Sequence, residues 1–117
     1  LGRICDIWGL GLSMHSNSHL GISLAAMTQL AAAAPNLTYD CDTHSPWQVD
    51  EVIEGGPLAF RGGALAVPEG PGLGVTLDRD ALARLHRTWL EHGYETRDDE
   101  AEMRKHQPDW SFARPRY

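Results

Sequence analysis

The sequence is poor in cysteine and in positive charge, and it has no long apolar run. Two cysteines in 117 residues are too few for a disulfide framework, so we expect free thiols and a reducing, cytoplasmic location. The 16 acidic residues outnumber the 10 Lys and Arg and give a net charge of −6, which argues against nucleic-acid binding, because phosphates require a basic surface. No apolar run approaches the ~20 residues of a membrane-spanning helix, so no membrane partner is expected.

The chain begins with Leu1 instead of Met, and its opening residues are typical of the end of a helix. Leu1, Ile4 and Trp8 form a stripe with helical spacing, and Gly9 follows at the position of a helix-terminating glycine. We therefore expect a helix over 1–8 and interpret the chain as the C-terminal part of a longer protein.

The next part of the chain predicts a strand, a helix and a second strand. Apolar residues alternate with small or polar ones over 10–15 and again over 37–43, which is typical of strands. Between them, an Ala-rich stretch over 19–34 has helical spacing, with Asn17 or Ser18 as its N-cap. Short joints between the three elements predict a βαβ unit, whose two strands are parallel.

Glycine and proline become frequent after Trp47. Two strand-like segments, 58–60 and 64–67, flank Arg61-Gly62-Gly63, a turn sequence that is typical of hairpins. This part of the chain is therefore expected to contain a β-hairpin.

An amphipathic helix is expected over 79–92. Asp78 is its predicted N-cap, and Leu82, Leu85 and Trp89 form its apolar face. The polar remainder that follows this helix is expected to be rich in loops.

Two histidines end the polar faces of the two predicted strands, His15 on the first and His44 on the second. Because parallel strands present their carboxyl ends at the same edge, the two imidazoles should lie together, where α/β proteins bind ligands. Imidazole titrates near neutral pH and can act as a general base. His19 is expected to pack or hydrogen bond locally at the helix start. The apolar faces of the strands are expected to pack against helices, and their members are Leu10, Leu12, Met14, Leu37, Tyr39 and Cys41.

Four collinear segments resemble the glucarate dehydratases of the enolase superfamily. They are MHSNSHLGISLA (14–25), CDTH (41–44), VPEGPGLGV (67–75) and TRDD (96–99). The resemblance implies the C-terminal part of a modified TIM (β/α) barrel, with its last two parallel strands and the helix between them in residues 1–48. Residues 49–117 would then form the hairpin, the helix and the loop-rich tail that return to a capping domain.

The resemblance also implies a reaction and its residues. Members of this family remove the proton beside a carboxylate of a hexaric acid, D-glucarate or L-idarate, with the help of Mg²⁺, and then eliminate water to give a 5-keto-4-deoxy acid. His15 matches the histidine base. His15, Ser16, Asn17, His44 and Arg97 match substrate-binding positions.

The remaining parts of that machinery match nothing in this chain. The family's lysine base, its metal ligands and the aspartate that partners the histidine base are expected upstream, so the isolated chain is expected to be inactive. The expected cofactor is Mg²⁺ bound outside this chain, and the longer protein is expected to form a homo-oligomer.

Two other hypotheses remain open. The chain could belong to a silent paralogue of the superfamily or be a non-catalytic fragment. It could also be a small metal-binding protein, because histidine and cysteine are good zinc ligands. The candidate ligands for such a site are His15, His19, Cys41 and His44.

Overall fold

The structure is a computed structural model, and it describes residues 1–93 and 98–113. The chain divides into two compact units, Leu1–Leu85 and His86–Tyr117. The predicted boundary between residues 48 and 49 concerns a larger barrel and cap, and it stays a prediction. The elements in chain order are α1 (Gly2–Ile7), β1 (His15–Ser16), α2 (Gly21–Ala33), β2 (Asp42–Thr43), a 3-10 turn (Ser45–Trp47), β3 (Phe60–Arg61), β4 (Ala64–Leu65), α3 (Arg79–His92) and α4 (Asp99–His106).

The predicted βαβ unit is present, although its strands are shorter than expected. β1 pairs with β2 in parallel, with His15 opposite Asp42, and a single parallel bridge joins Leu12 to Leu37 nearer the amino ends. The two pairings are three positions apart on the first strand, from Leu12 to His15, but five positions apart on the second, from Leu37 to Asp42. The second strand therefore bulges, which interrupts the regular pairing predicted over 10–15 and 37–43.

The apolar faces of these strands are only partly covered. Leu12, Met14 and Cys41 are half-buried, as expected for residues that face a helix. The expectation is wrong for Leu10, which is 57% exposed, and for Tyr39, which is 64% exposed. Tyr39 lies within the bulge, where the backbone leaves the pleat that the alternation assumes.

α2 begins at Gly21, and its N-cap is Leu20, which makes no capping side-chain hydrogen bond. The prediction that Asn17 or Ser18 caps this helix is therefore wrong. The Oε1 atom of Glu51 instead accepts a hydrogen bond of 2.7 Å from the Gly21 N–H, so a carboxylate from a later loop satisfies a donor at the helix start.

The core of the first unit is small and lies around the buried face of α2. An antiparallel bridge between Ile53 and Leu77 places the segment after residue 51 beside the segment that leads into α3. The buried apolar residues are Leu24, Ala25, Val52, Ile53 and Ala81.

The predicted hairpin is confirmed, with its strands displaced slightly. β3 and β4 are antiparallel, with Phe60 opposite Leu65 and Arg61 opposite Ala64, so Arg61 belongs to a strand instead of the turn. Gly62 and Gly63 have φ values of 57° and 79°, which suit a two-residue turn with two left-handed positions.

The helix predicted over 79–92 is confirmed, but its apolar face is largely exposed. Asp78 caps α3, since its Oδ1 accepts hydrogen bonds from the N–H groups of Asp80 and Ala81. Ala81 is buried, whereas the predicted face residues Leu82 and Trp89 are about half exposed.

The tail expected to be loop-rich contains α4, so that expectation is wrong for residues 99–106. Asp98 caps the helix by accepting a hydrogen bond of 2.9 Å from the Ala101 N–H. Acidic residues occupy the first turn and basic residues the last, an arrangement that the helix dipole favours. They are Asp99, Glu100 and Glu102 at the start, and Arg104, Lys105 and His106 at the end. No helix in the described parts of the chain is both long and apolar enough to cross a bilayer.

Candidate active site

The imidazoles of His15 and His44 lie side by side at the carboxyl ends of β1 and β2. Their ring centroids are 6.2 Å apart and their planes are at 84°, so the edge of one ring faces the plane of the other. The backbone holds this pairing, because the His44 N–H donates to the Ser16 carbonyl at 3.4 Å. The expectation that the two side chains lie together is confirmed, and their chemical roles remain predictions.

Asp42 adds a carboxylate to this pair. It lies directly opposite His15 in the parallel register, and its Oδ2 is 2.8 Å from the Nδ1 of His15. If Nδ1 carries the proton and donates a hydrogen bond to this carboxylate, the Nε2 atom keeps a free lone pair. Both side chains remain accessible, with 57% of His15 and 68% of Asp42 exposed.

Sequence reasoning placed Asp42 on the same face as His44 but assigned it no function. The aspartate that partners the histidine base was expected outside this chain. The signal that could have identified Asp42 is the pairing register, since that register places Asp42 directly opposite His15. Alternation fixes the face of a strand but not that register.

The other predicted substrate ligands lie along the same edge or outside the described residues. Ser16 is half-buried in β1, and its carbonyl oxygen accepts the hydrogen bond from His44. Asn17 directly follows β1 and is exposed. Arg97 lies outside the residues that the structure describes.

His19 is a local packing residue, as the sequence predicted. It is buried, and its Nε2 is 3.3 Å from the Sδ of Met27 in α2. Burial lowers the pKa of His19 below its ordinary value of about 6.5, and the nearby His15 lowers it further.

Trp47 is a neighbour of the site that sequence reasoning missed. It ends the 3-10 turn that follows β2, and its ring centroid is 4.9 Å from that of His44, with the planes tilted by 47°. The only sequence signal was an aromatic residue three positions after His44 in a Pro-containing turn.

A metal centre does not form from this set of side chains. Within residues 1–93 and 98–113, no three His, Cys, Asp or Glu side chains are arranged to hold a metal ion. The zinc site proposed from His15, His19, Cys41 and His44 therefore lacks the required geometry. The same donor set does not fit Mg²⁺, which prefers several oxygen ligands, because it offers three imidazoles and a thiol.

Comparison with known proteins identifies the family. Residues 1–81 match the family of enolase C-terminal domain-like proteins. A probable glucarate dehydratase of Streptomyces coelicolor is 54% identical over 112 residues, which are 94% of this chain and 26% of that protein. A chloromuconate cycloisomerase of Cupriavidus pinatubonensis is 33% identical over 87 residues, or 74% of this chain and 23% of that protein.

Solved structures agree with this assignment. An enolase from Pseudomonas fluorescens with bound magnesium, potassium and tartrate has a TM-score of 0.89 and 52% identity, over 99% of this chain and 28% of that one. An enolase from Thermobispora bispora with magnesium and formate has a TM-score of 0.83 and 57% identity, over 94% of this chain and 26% of that one.

The chain spans about a quarter of the length of the relatives that it matches. Its βαβ unit corresponds to part of the TIM barrel of those proteins, as the four motifs predicted. The chain belongs to the enolase superfamily and represents part of its C-terminal barrel domain.

Proposed function

We propose that this chain contributes the histidine side of the active site of an acid-sugar dehydratase that resembles glucarate dehydratase. The observation that supports this most strongly is the group formed by His15, Asp42 and His44 at one edge of the sheet. The relatives are enzymes of the enolase superfamily, and the dehydratase-like relative has the higher identity over the larger share of the chain.

His15 is the proposed general base. In the tautomer whose Nδ1–H donates to Asp42, its Nε2 lone pair can take the proton from the carbon beside a substrate carboxylate. The negative charge of Asp42 then stabilises the imidazolium that forms. The electron pair of the broken C–H bond enters the adjacent carboxylate, and on its return the hydroxyl of the next carbon leaves. The imidazolium of His15 can return its proton to the departing hydroxyl, which leaves as water, and the resulting enol tautomerises to a 5-keto-4-deoxy acid.

The other residues of this edge are proposed to bind the hexarate. Ser16 and Asn17 offer a hydroxyl and an amide next to the base, and His44 offers a ring nitrogen to a hydroxyl or carboxylate. Arg97 is proposed to bind the distal carboxylate, since a guanidinium forms two parallel hydrogen bonds to such a group.

Residues outside this chain are proposed to hold Mg²⁺ and to complete the active site. Two related structures contain bound magnesium, whereas the described residues here offer no suitable ligand set. We therefore propose that the isolated chain is inactive. We also propose that the longer enzyme is a cytoplasmic homo-oligomer.

The decisive experiment replaces His15 with Asn in the full-length protein that carries this segment. Dehydration of D-glucarate and L-idarate and exchange of their α-protons in deuterated water would be followed by NMR. We expect the variant to lose proton abstraction from one of the two epimers while it still binds hexarate. His106→Asn, at an exposed position in α4, is the matched control and should retain activity.

Two results would contradict the proposal. Unchanged turnover and exchange with both epimers in His15→Asn would remove His15 from the role of base. A wild-type protein that exchanges the α-proton but releases no keto acid would instead favour a silent paralogue or an isomerase.

A further inference from the structure

Trp47 is a large aromatic residue that is 74% exposed directly beside the proposed active site. The described part of the chain has other exposed aromatic residues, but Trp47 is the one whose ring contacts His44. The indole therefore belongs to the immediate surroundings of His44 in the proposed site.

Two hydrogen bonds between nearby residues hold the backbone around Trp47. The Trp47 N–H donates to the His44 carbonyl at 3.0 Å, and the Ser45 N–H donates to the Thr43 hydroxyl at 3.1 Å. Pro46 fixes one backbone angle inside the same turn. The indole is thus attached to a rigid turn, and its own two rotatable bonds leave it little freedom once it stacks.

This placement confines the ring of His44 between two neighbours. The indole of Trp47 lies at 4.9 Å on one side, and the ring of His15 lies at 6.2 Å on another. Both separations fall in the range of favourable aromatic contacts. Without the indole, the side chain of His44 could rotate away from His15.

We propose that Trp47 is a positioning residue that holds His44 in the orientation needed to bind the carboxylate or hydroxyl of the acid substrate. This inference rests on the proposed function, since it gives His44 a substrate to bind. Trp47 acts through His44, and the effect should therefore fall on substrate binding, while proton abstraction by His15 continues.

The test compares Trp47→Leu with Trp47→Phe in the full-length enzyme. An aromatic contact of this kind corresponds to about a tenfold change in an equilibrium. We expect Trp47→Leu to raise KM for D-glucarate about tenfold with kcat within about twofold, a pattern that indicates lost ground-state binding. Trp47→Phe should restore most of the affinity, because a phenyl ring can still stack. Trp8→Leu, at the exposed C-cap of α1, is the matched control and should leave KM unchanged.

A second measurement makes the test independent of catalysis. With the protein isotope-labelled at histidine, the ring protons of His44 should shift in Trp47→Leu, because they lose the ring current of the indole, and the ring protons of His19 should not. Unchanged His44 signals would overturn the inference, and so would Phe and Leu variants with equal KM. If the wild-type protein dehydrates no hexarate, the proposed function fails, while the His44 signals and the dissociation constant of D-glucarate still decide the role of Trp47.

Discussion

The carboxylate of Glu51 joins the loop after the proposed site to the start of α2. Removal of this carboxylate should destabilise both the loop and the helix start. Its Oε1 accepts a hydrogen bond of 2.7 Å from the Gly21 N–H and another of 2.6 Å from the Val52 N–H. Gly21 and Val52 are buried, so water cannot easily replace the carboxylate. The turn that carries His15 to His19 ends at this same helix start.

The magnitude follows from these two hydrogen bonds. Loss of a side-chain acceptor at a helix N-terminus costs about 0.5–2 kcal/mol. A buried N–H left without a partner costs about 1–3 kcal/mol. Glu51→Ala should therefore lower the free energy of unfolding by roughly 2–4 kcal/mol. Glu51→Gln keeps an oxygen acceptor and loses only the charge, so its cost should be about 0.3–1 kcal/mol.

Hydrogen exchange measured on the full-length protein tests this prediction locally. In Glu51→Ala, the amides of Gly21 and Val52 should exchange roughly 30-fold faster or more, because opening of the helix start becomes easier. Glu54→Ala is the matched control, since Glu54 is a nearby exposed glutamate. Equal exchange in the Glu51 and Glu54 variants would refute the idea that a distant carboxylate caps α2.

Two further predictions concern the histidines. Asp42→Asn should lower kcat roughly tenfold to 100-fold, since it removes the charge that supports the proposed base. Because the His15–Asp42 pair is exposed, the same change should alter the free energy of unfolding, measured by urea denaturation, by less than about 1 kcal/mol. An unchanged kcat in Asp42→Asn would contradict the role assigned to Asp42. The lowered pKa of His19 means that the unfolded chain binds a proton more readily than the folded one. The free energy of unfolding should therefore be highest above about pH 6.5 and fall as the pH drops through the lower pKa of the folded state. His19→Gln should weaken this pH dependence. An identical pH profile in that variant would exclude His19 as the source of the dependence.

The alternation of residues predicted the faces of the strands but not their pairing. His15 and His44 lie together as expected, even though the second strand contains two extra residues between its pairings with the first. An even number of inserted residues preserves the face, because side chains alternate with a period of two. Asp42 could not be assigned as the partner of His15, because that assignment needs the register itself.

The helix boundaries separate local signals from tertiary ones. Asp78 caps α3 as predicted, since its acceptor and its donors lie within three residues of each other. Asn17 and Ser18 have suitable side chains for α2, but the acceptor comes from Glu51, which is 30 residues from Gly21 in the sequence. No local pattern contains such a contact.

α4 was missed for the opposite reason. Its sequence has no apolar stripe, and without periodic hydrophobicity the pattern of residues predicts a loop. The helix is supported by local charge instead, with Asp98 as its cap, a hydrogen-bonded ion pair between Arg104 and Glu100, and another of 2.6 Å between Lys105 and Glu102. Each such pair contributes only a few tenths of a kcal/mol, about 0.2–0.5, so their sum and the cap decide the outcome.

The geometry of the site depends on a glycine at the other end of the strand. The N–H groups of Thr38 and Tyr39 both donate to the Leu12 carbonyl, at 3.2 and 3.3 Å, which is where the second strand accommodates its extra residues. A Cβ atom at Gly11 would collide with the side chains of both Thr38 and Tyr39, so a larger residue at this position would force these two side chains of the bulge to shift. The bulge in turn sets the register that places Asp42 opposite His15. A side chain at Gly11, a position with no catalytic chemistry of its own, would therefore disturb the segment that sets the register of His15 and Asp42.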